Sequence, residues 1–572
     1  MMKSDSMEQF HQLLADDWEN RLQEDPLYAT NAGDHRFNDR LPSMSETAFH
    51  QRLENRYLFR QRLEMMDVAS LPENDRLNSA IYSRQLENEI RELEFRAYRM
   101  PISKSGGFHL AFPDLPLTTP FNDARDYQNY ISRLNAFERY ASEHVHLMRL
   151  GLQEGQVPPS VTLQGVEAAL RAQVVVDPAD SPLFLPFKQF PGTISTADQH
   201  RLDSAGRTAL LRSVVPGYQA LLDFLQAEYL PAARQGIAAT ELPGGPAFYD
   251  HRIRYYTSLE LTAEAIHATG GAEVERIRAE MDQAIHKSGF HGSFHQFIEF
   301  LRTDPRFYVT TAAQLLKETA LVLKKMDGEL PRLFGTLPRR PYGIRPIPDF
   351  AAPGNTTAYY FPGPGDGTRA GFYYVNTYHL SSRPLYEIEA LSLHEAVPGH
   401  HLQIALQQEL DLPNFRRFEG STAFTEGWAL YAERLGLECG FYQDPYCDFG
   451  RLSYEMWRAC RLVVDTGMHA LGWTRQQAID FMAENTSLTL LNITNEVDRY
   501  IAWPGQALAY KIGELKIRQL RSHAEQALGA GFDLRLFHDV VLRNGAVPLD
   551  VLEDLVNGWI KDRFRDSTVP KH

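Results

Sequence analysis

Apolar residues recur every three or four positions among charged ones over residues 8–24, 46–66, 76–99, 124–153 and 202–230. That spacing predicts amphipathic helices, and 262–287 and 311–333 continue it. The pattern changes between Pro338 and Tyr378, where prolines and glycines become dense and short runs rich in tyrosine and β-branched residues appear at 342–347, 357–361 and 371–377. These read as the strands of a small sheet. Helical periodicity returns from Leu385 to the end, broken at Pro398-Gly399, Pro413-Asn414, Pro504-Gly505 and between Gly545 and Pro548. No repeat of fixed period and no low-complexity tract interrupts the chain. The expected fold is therefore mainly α, with a helical amino-terminal region over 1–337 and a second region over 338–572 that carries the sheet.

The 572 residues are 43% hydrophobic and 23% charged, with a mean hydropathy of −0.37, so forming a large core presents no difficulty. A formal net charge of −15 argues against a nucleic-acid surface. No stretch reaches the roughly 18 apolar residues of a membrane span, and the amino terminus lacks the apolar core of a secretory signal. The expectation is a cytoplasmic protein with no membrane partner; no pattern sets an oligomeric state. Cys439, Cys447 and Cys460 match neither a disulfide framework nor a zinc knuckle and read as reduced structural residues.

The chemistry concentrates in His394-Glu395-Ala396-Val397-Pro398-Gly399-His400-His401. Two histidines four apart on a helix share a face and bind one ion readily. Here a regular helix would turn His400 away from His394, and would carry His401 back to the same face ~10 Å farther along the axis. Pro398 changes this, because its ring collides with the carbonyl four residues back, that of His394. Gly399 tolerates conformations closed to other residues. A kink at this pair brings His400 under His394, which makes His400 the expected second ligand and His401 the reserve.

Glu395, beside the first ligand, is placed to take a proton from a metal-activated water. A catalytic zinc needs one more protein ligand. Glu426 is the candidate, since it opens the apolar run Thr425–Glu433, where Trp428 and Tyr431 make an idle carboxylate costly to bury. Glu433 reads as an ordinary helix-surface ion pair with Arg434 or Arg417. One zinc ion is expected, although imidazole and carboxylate ligands also accept manganese or cobalt.

At these residues the chain resembles the bacterial family catalogued as domain of unknown function 885, which is similar to zincin-like metallopeptidases with a glutamate third ligand. The matching segments are 391–403, 425–433, 461–472, 498–513 and 532–548, with 26–41 resembling the family's opening. The resemblance implies one family domain over about residues 8–565 and a mostly helical zincin-like fold. Its deep active-site cleft would have the small sheet beside the metal-binding helix.

A donor for the developing oxyanion is sought in the segment 498–511, with Tyr510 first, then Arg499 and Tyr500; each also reads as a hydrogen-bonded structural residue. His469, four after Asp465, would bind substrate or brace a metal ligand, or form a plain helix pair. Tyr373, Tyr374 and Asn376 lie on what reads as an edge strand, where they would contact substrate or merely alternate between core and solvent. Gly363 to Gly367 is a turn rather than a phosphate loop.

The reading these features support is a zinc metallopeptidase acting on short or unfolded peptides, with His394, His400 and Glu426 as ligands and Glu395 as base. The alternatives are a zinc amidohydrolase acting on a non-peptide amide and a catalytically idle peptide binder. A base beside the first ligand disfavours the binder.

Overall fold

Helices make up nearly all of the regular structure, as the three- and four-residue spacing predicts. The computed structural model describes residues 2–349, 352 and 356–568. The chain forms two compact units, Met1–Phe248 and Tyr249–His572. The division falls at 248/249 rather than 337/338, and the helices of 249–337 belong with the second unit.

The first unit contains α1 (Met2–Glu24), α2 (Glu46–Glu64), α3 (Glu73–Phe95), α4 (Ala124–Asn135) and α5 (Phe137–Glu154), then α6 (Thr196–Ala209) and α7 (Val215–Phe224). Its core gathers Tyr127, Tyr130, Leu134, Phe137, Leu210 and Tyr218. A two-residue hairpin pair, β1 (Ile102–Ser103) and β2 (Gly106–Gly107), went unpredicted because it is too short to show alternation. The predicted run 202–230 is helical but widens to π turns at Leu210–Val214 and Leu225–Tyr229. Each stretch contains the residue whose carbonyl the ring of Pro216 or Pro231 would strike in a regular α-helix, Arg212 and Ala227.

In the second unit, α8 (Ala263–Lys287) and α9 (Ala312–Leu333) precede a three-stranded sheet of β3 (Tyr342–Pro346), β4 (Ala358–Phe361) and β5 (Gly371–Val375). The order is β3-β5-β4, with β5 parallel to β3 and antiparallel to β4. β5 is therefore the central strand, and Tyr373 and Tyr374 are not on an edge. They alternate as a core-facing strand requires, Tyr373 buried and Tyr374 partly exposed. Asn376 is buried, and its amide donates to the carbonyls of Ala352 and Thr356, which makes it a clasp at the end of the strand.

The helices that follow include α10 (Ile388–Glu395), α11 (His400–Glu409), α12 (Thr422–Leu435), α13 (Pro445–His469), α14 (Leu490–Ala502), α15 (Ala509–Leu528), α16 (Leu534–Leu542) and α17 (Leu549–Thr568). α13 is the central helix: from Phe449 to His469 every residue except Trp457 is buried. Charges on such a helix need partners, and Glu455 meets the fully buried Lys511 at 2.8 Å, which also contacts Glu514 and Glu273 at 2.9 Å. α12 and α15 cross in close contact at Gly427 and Gly513, where a Cβ on either would strike the backbone of the other helix. Among the described residues, no helix is long and apolar enough to cross a membrane.

Candidate metal centre

The predicted kink is a complete break. α10 ends at Glu395 and α11 begins at His400, with residues 396–399 forming the turn between them. A Cβ on Gly399 would collide with the carbonyl oxygens of Leu393 and His394, so only glycine lets the chain fold back this closely. Trp428 of α12 donates its indole N–H to the carbonyl of Pro398 at 2.8 Å and holds the turn. The outcome is that the rings of His394 and His400 lie 4.7 Å apart and nearly perpendicular.

Glu426 completes the group. Its Oε2 is 3.9 Å from His394 Nε2 and 3.5 Å from His400 Nε2, and one ligand atom from each residue lies within 4.8 Å of the others. Ligands at the ~2.0–2.1 Å bonds of a tetrahedral zinc stand about 3.4 Å apart, so the spacing is close to that of a bound set. Glu426 is in the second turn of α12 rather than at its start. His401 is outside the cluster: its Nδ1 is 2.8 Å from the Tyr360 hydroxyl, and its ring packs 4.7 Å from that of Tyr342.

Glu433 is not the surface ion pair expected. It is buried, with Oε1 2.7 Å from His394 Nδ1 and 3.7 Å from Arg458. Seven residues separate it from Glu426, close to two full turns, so both carboxylates point inward from one face of α12. That seven-residue spacing was the signal in the sequence.

Burial drives His394 well below its ordinary value, and the charges of His400, Arg458 and Arg461 act the same way. At His400 burial acts downward as well, but the hydrogen bond and charge of Glu426 outweigh it and raise the group. Glu426 is correspondingly lowered, its hydrogen bond with His400 overcoming burial. Burial raises Glu395, with the charge of Glu426 adding to it, while His400 and the main-chain N–H of Tyr360 on β4 oppose. Burial pushes Glu433 up to about 8 against the pull of Arg458. His400 Nδ1 is buried with no hydrogen-bond partner among the described residues.

The other candidates divide. Tyr510, on α15 one turn before Gly513, is partly exposed, and beyond the effect of burial its phenol is raised by the charge of Glu426. Tyr500 is buried and engaged on all sides: its hydroxyl donates to Glu496 at 2.8 Å and accepts from Trp457 and Arg461, each at 2.9 Å. Arg499 bonds Glu496 and Gln506. His469 Nε2 stands 3.0 Å from the Tyr500 carbonyl, away from the cluster. Asp465 braces no metal ligand; it accepts from the Tyr249 hydroxyl at 2.7 Å and from the Gly505 N–H. Arg458 and Arg461, both buried and both acting on His394 and Glu426, were missed. Two arginines three apart, on the same face of a helix, were the available sign.

Residues 26–556 match the model of a bacterial protein family of unknown function, DUF885. The crystal structure of a "putative lipoprotein" from Colwellia psychrerythraea is 28% identical, with a TM-score of 0.92, and the match covers 97% of this chain and 99% of that one. The structure of a "putative lipoprotein of unknown function" from Shewanella oneidensis, 19% identical with a TM-score of 0.69, covers 96% and 99% and shares the fold. No curated protein matches the chain.

Proposed function

We propose, from the premise that this chain belongs to the DUF885 family of bacterial proteins of unknown function, that it is a zincin-like metallopeptidase. It would hydrolyse short or unfolded peptides with one zinc ion held by His394, His400 and Glu426. The observation that carries this reading is the convergence of two imidazoles and a carboxylate, with a second carboxylate, that of Glu395, within electrostatic reach of His400 and Glu426. An ion bound there supplies an acidified water and a polarised substrate carbonyl.

The chain's own residues do the rest. Glu395 accepts the water's proton and returns it to the leaving amine, and its raised proton affinity suits both halves of that transfer. Glu433, bonded to His394 Nδ1, fixes the ring with Nε2 on the side of Glu426, the orientation a metal-ligating histidine needs. Tyr510 offers an O–H to the developing oxyanion. β4 is an edge strand whose Tyr360 N–H acts on Glu395, so an extended peptide paired along β4 would run past the base.

A peptide library assayed with and without a chelator tests the reading. Cleavage that the chelator abolishes and zinc restores is the expected result; unchanged cleavage in chelator, or turnover of acylated amines alone, overturns it. The cytoplasmic location belongs to the same proposal. Recovery of the native protein in the membrane fraction would replace it with the lipid-anchored location that the descriptions of the two relatives suggest.

A further inference from the structure

Arg458 and Arg461 lie three residues apart on α13 and are 4% and 3% exposed. Arg461 donates from Nε to the Tyr500 hydroxyl at 2.9 Å and from Nη2 to Glu496 at 3.1 Å, while its Nη1 is buried with no hydrogen-bond partner among the described residues. Arg458 donates from Nη1 to the Tyr454 carbonyl and has Nη2 3.7 Å from Glu433; its Nε is likewise buried and unpartnered. Buried donors on a charged group are costly to leave unpaired, so two of them side by side need an explanation.

The acids bonded directly to these arginines are shared. Glu496 serves both Arg461 and Arg499, the latter at 2.8 Å, so one carboxylate answers two guanidinium groups. Glu433, the nearest acid to Arg458, is already engaged by His394.

Arg461 also lies beside an accessible place. The Arg461 guanidinium is 4.5 Å from the ring of Trp457, the one residue of α13 between Phe449 and His469 that is not buried, and 4.4 Å from the ring of Tyr510. Tyr510 is itself partly exposed and lies on the helix that crosses α12 one residue beyond Glu426.

We infer that Arg461, supported by Arg458 and Arg499, binds a carboxylate of the substrate next to the metal ligands. The peptides preferred would then present either a free carboxy terminus or an acidic side chain close to the bond that is cut. A planar guanidinium with an unused N–H suits a carboxylate better than a point charge does. Cleavage at this position rests on the metallopeptidase reading, whereas the carboxylate binding does not.

Calorimetric binding of three probes to the metal-free full chain, which cannot turn them over, decides the matter: trialanine, trialanine amide and Ala-Ala-Asp amide. The expected result is binding of trialanine, of Ala-Ala-Asp amide or of both about tenfold tighter than trialanine amide, the size of a charge-assisted hydrogen bond. The probe that binds identifies the source of the carboxylate. Arg461→Gln should bring all three within twofold of each other, with Arg461→Lys intermediate. Equal binding of acid and amide by the unaltered protein overturns the inference without recourse to any variant. Acid-selective binding with no peptide cleaved under any metal condition would sink the peptidase and leave this subsite standing; chelator-sensitive cleavage with no acid preference would do the reverse.

Discussion

His394 and Glu433 meet at 2.7 Å between Nδ1 and Oε1, both of them buried, so one face of α12 carries the proposed ligand Glu426 and, two turns later, a carboxyl group bonded to the proposed ligand His394. Glu433→Gln should lower zinc affinity about 10- to 100-fold while leaving the helical circular-dichroism spectrum unchanged. Competition against a fluorescent chelator measures it. Affinity equal to that of the parent would show that the contact has no bearing on the metal.

Glu395→Gln keeps the size of the side chain and removes the proton acceptor. Turnover should fall by about 10²- to 10⁴-fold with zinc content unchanged. A variant that cleaves at the parental rate would require a different base.

Much of this arrangement can be read before the structure is seen, and what cannot has physical reasons. The helical spacing, the sheet between residues 342 and 375 and the grouping of His394, His400 and Glu426 follow from periodicity and from what Pro398 and Gly399 do to a helix. The steric reason for Gly399 proved to be close approach to two carbonyls rather than a kink, which local rules do not specify. The role of Glu433 was missed because an isolated carboxylate near arginines usually faces water, and its burial depends on α10 and α13, distant in sequence. The order of strands in the sheet set β5 at the centre, and order is decided by pairing rather than by alternation within one strand. Arg458 and Arg461 acquire meaning only once α13 is known to be buried along most of its length.

The crossing of α12 and α15 predicts a sharp contrast between two glycines. Gly427→Ala places a methyl group against the backbone of Gly513 and should cost about 1–3 kcal/mol or more in unfolding free energy. Gly271→Ala on α8, where a methyl would meet nothing within 4 Å, should instead stabilise by about 0.5–1 kcal/mol. Denaturant midpoints compare the two, and similar effects would contradict the crossing.

Asp465 predicts a pH dependence. Burial raises its carboxyl from 3.8 to about 7, so between roughly pH 4 and 7 the native state keeps a proton that the unfolded chain has released. Stability therefore falls as pH rises through that window and levels off above it, by at most on the order of 4 kcal/mol. Asp465→Asn retains an acceptor for the Tyr249 hydroxyl and removes the titration, so its advantage over the parent should grow from pH 4 to 7. Parallel stability curves for the two proteins would show that Asp465 does not titrate as described.

The central claim is that His394, His400 and Glu426 hold one divalent ion and that His401 takes no part. Elemental analysis of the folded protein and of its His400→Gln and His401→Gln variants, each equilibrated with limiting zinc and then desalted, tests it most directly. The account predicts about one zinc per chain in the parent and in His401→Gln, and almost none in His400→Gln. Zinc retained by His400→Gln, or absent from the parent, would contradict it.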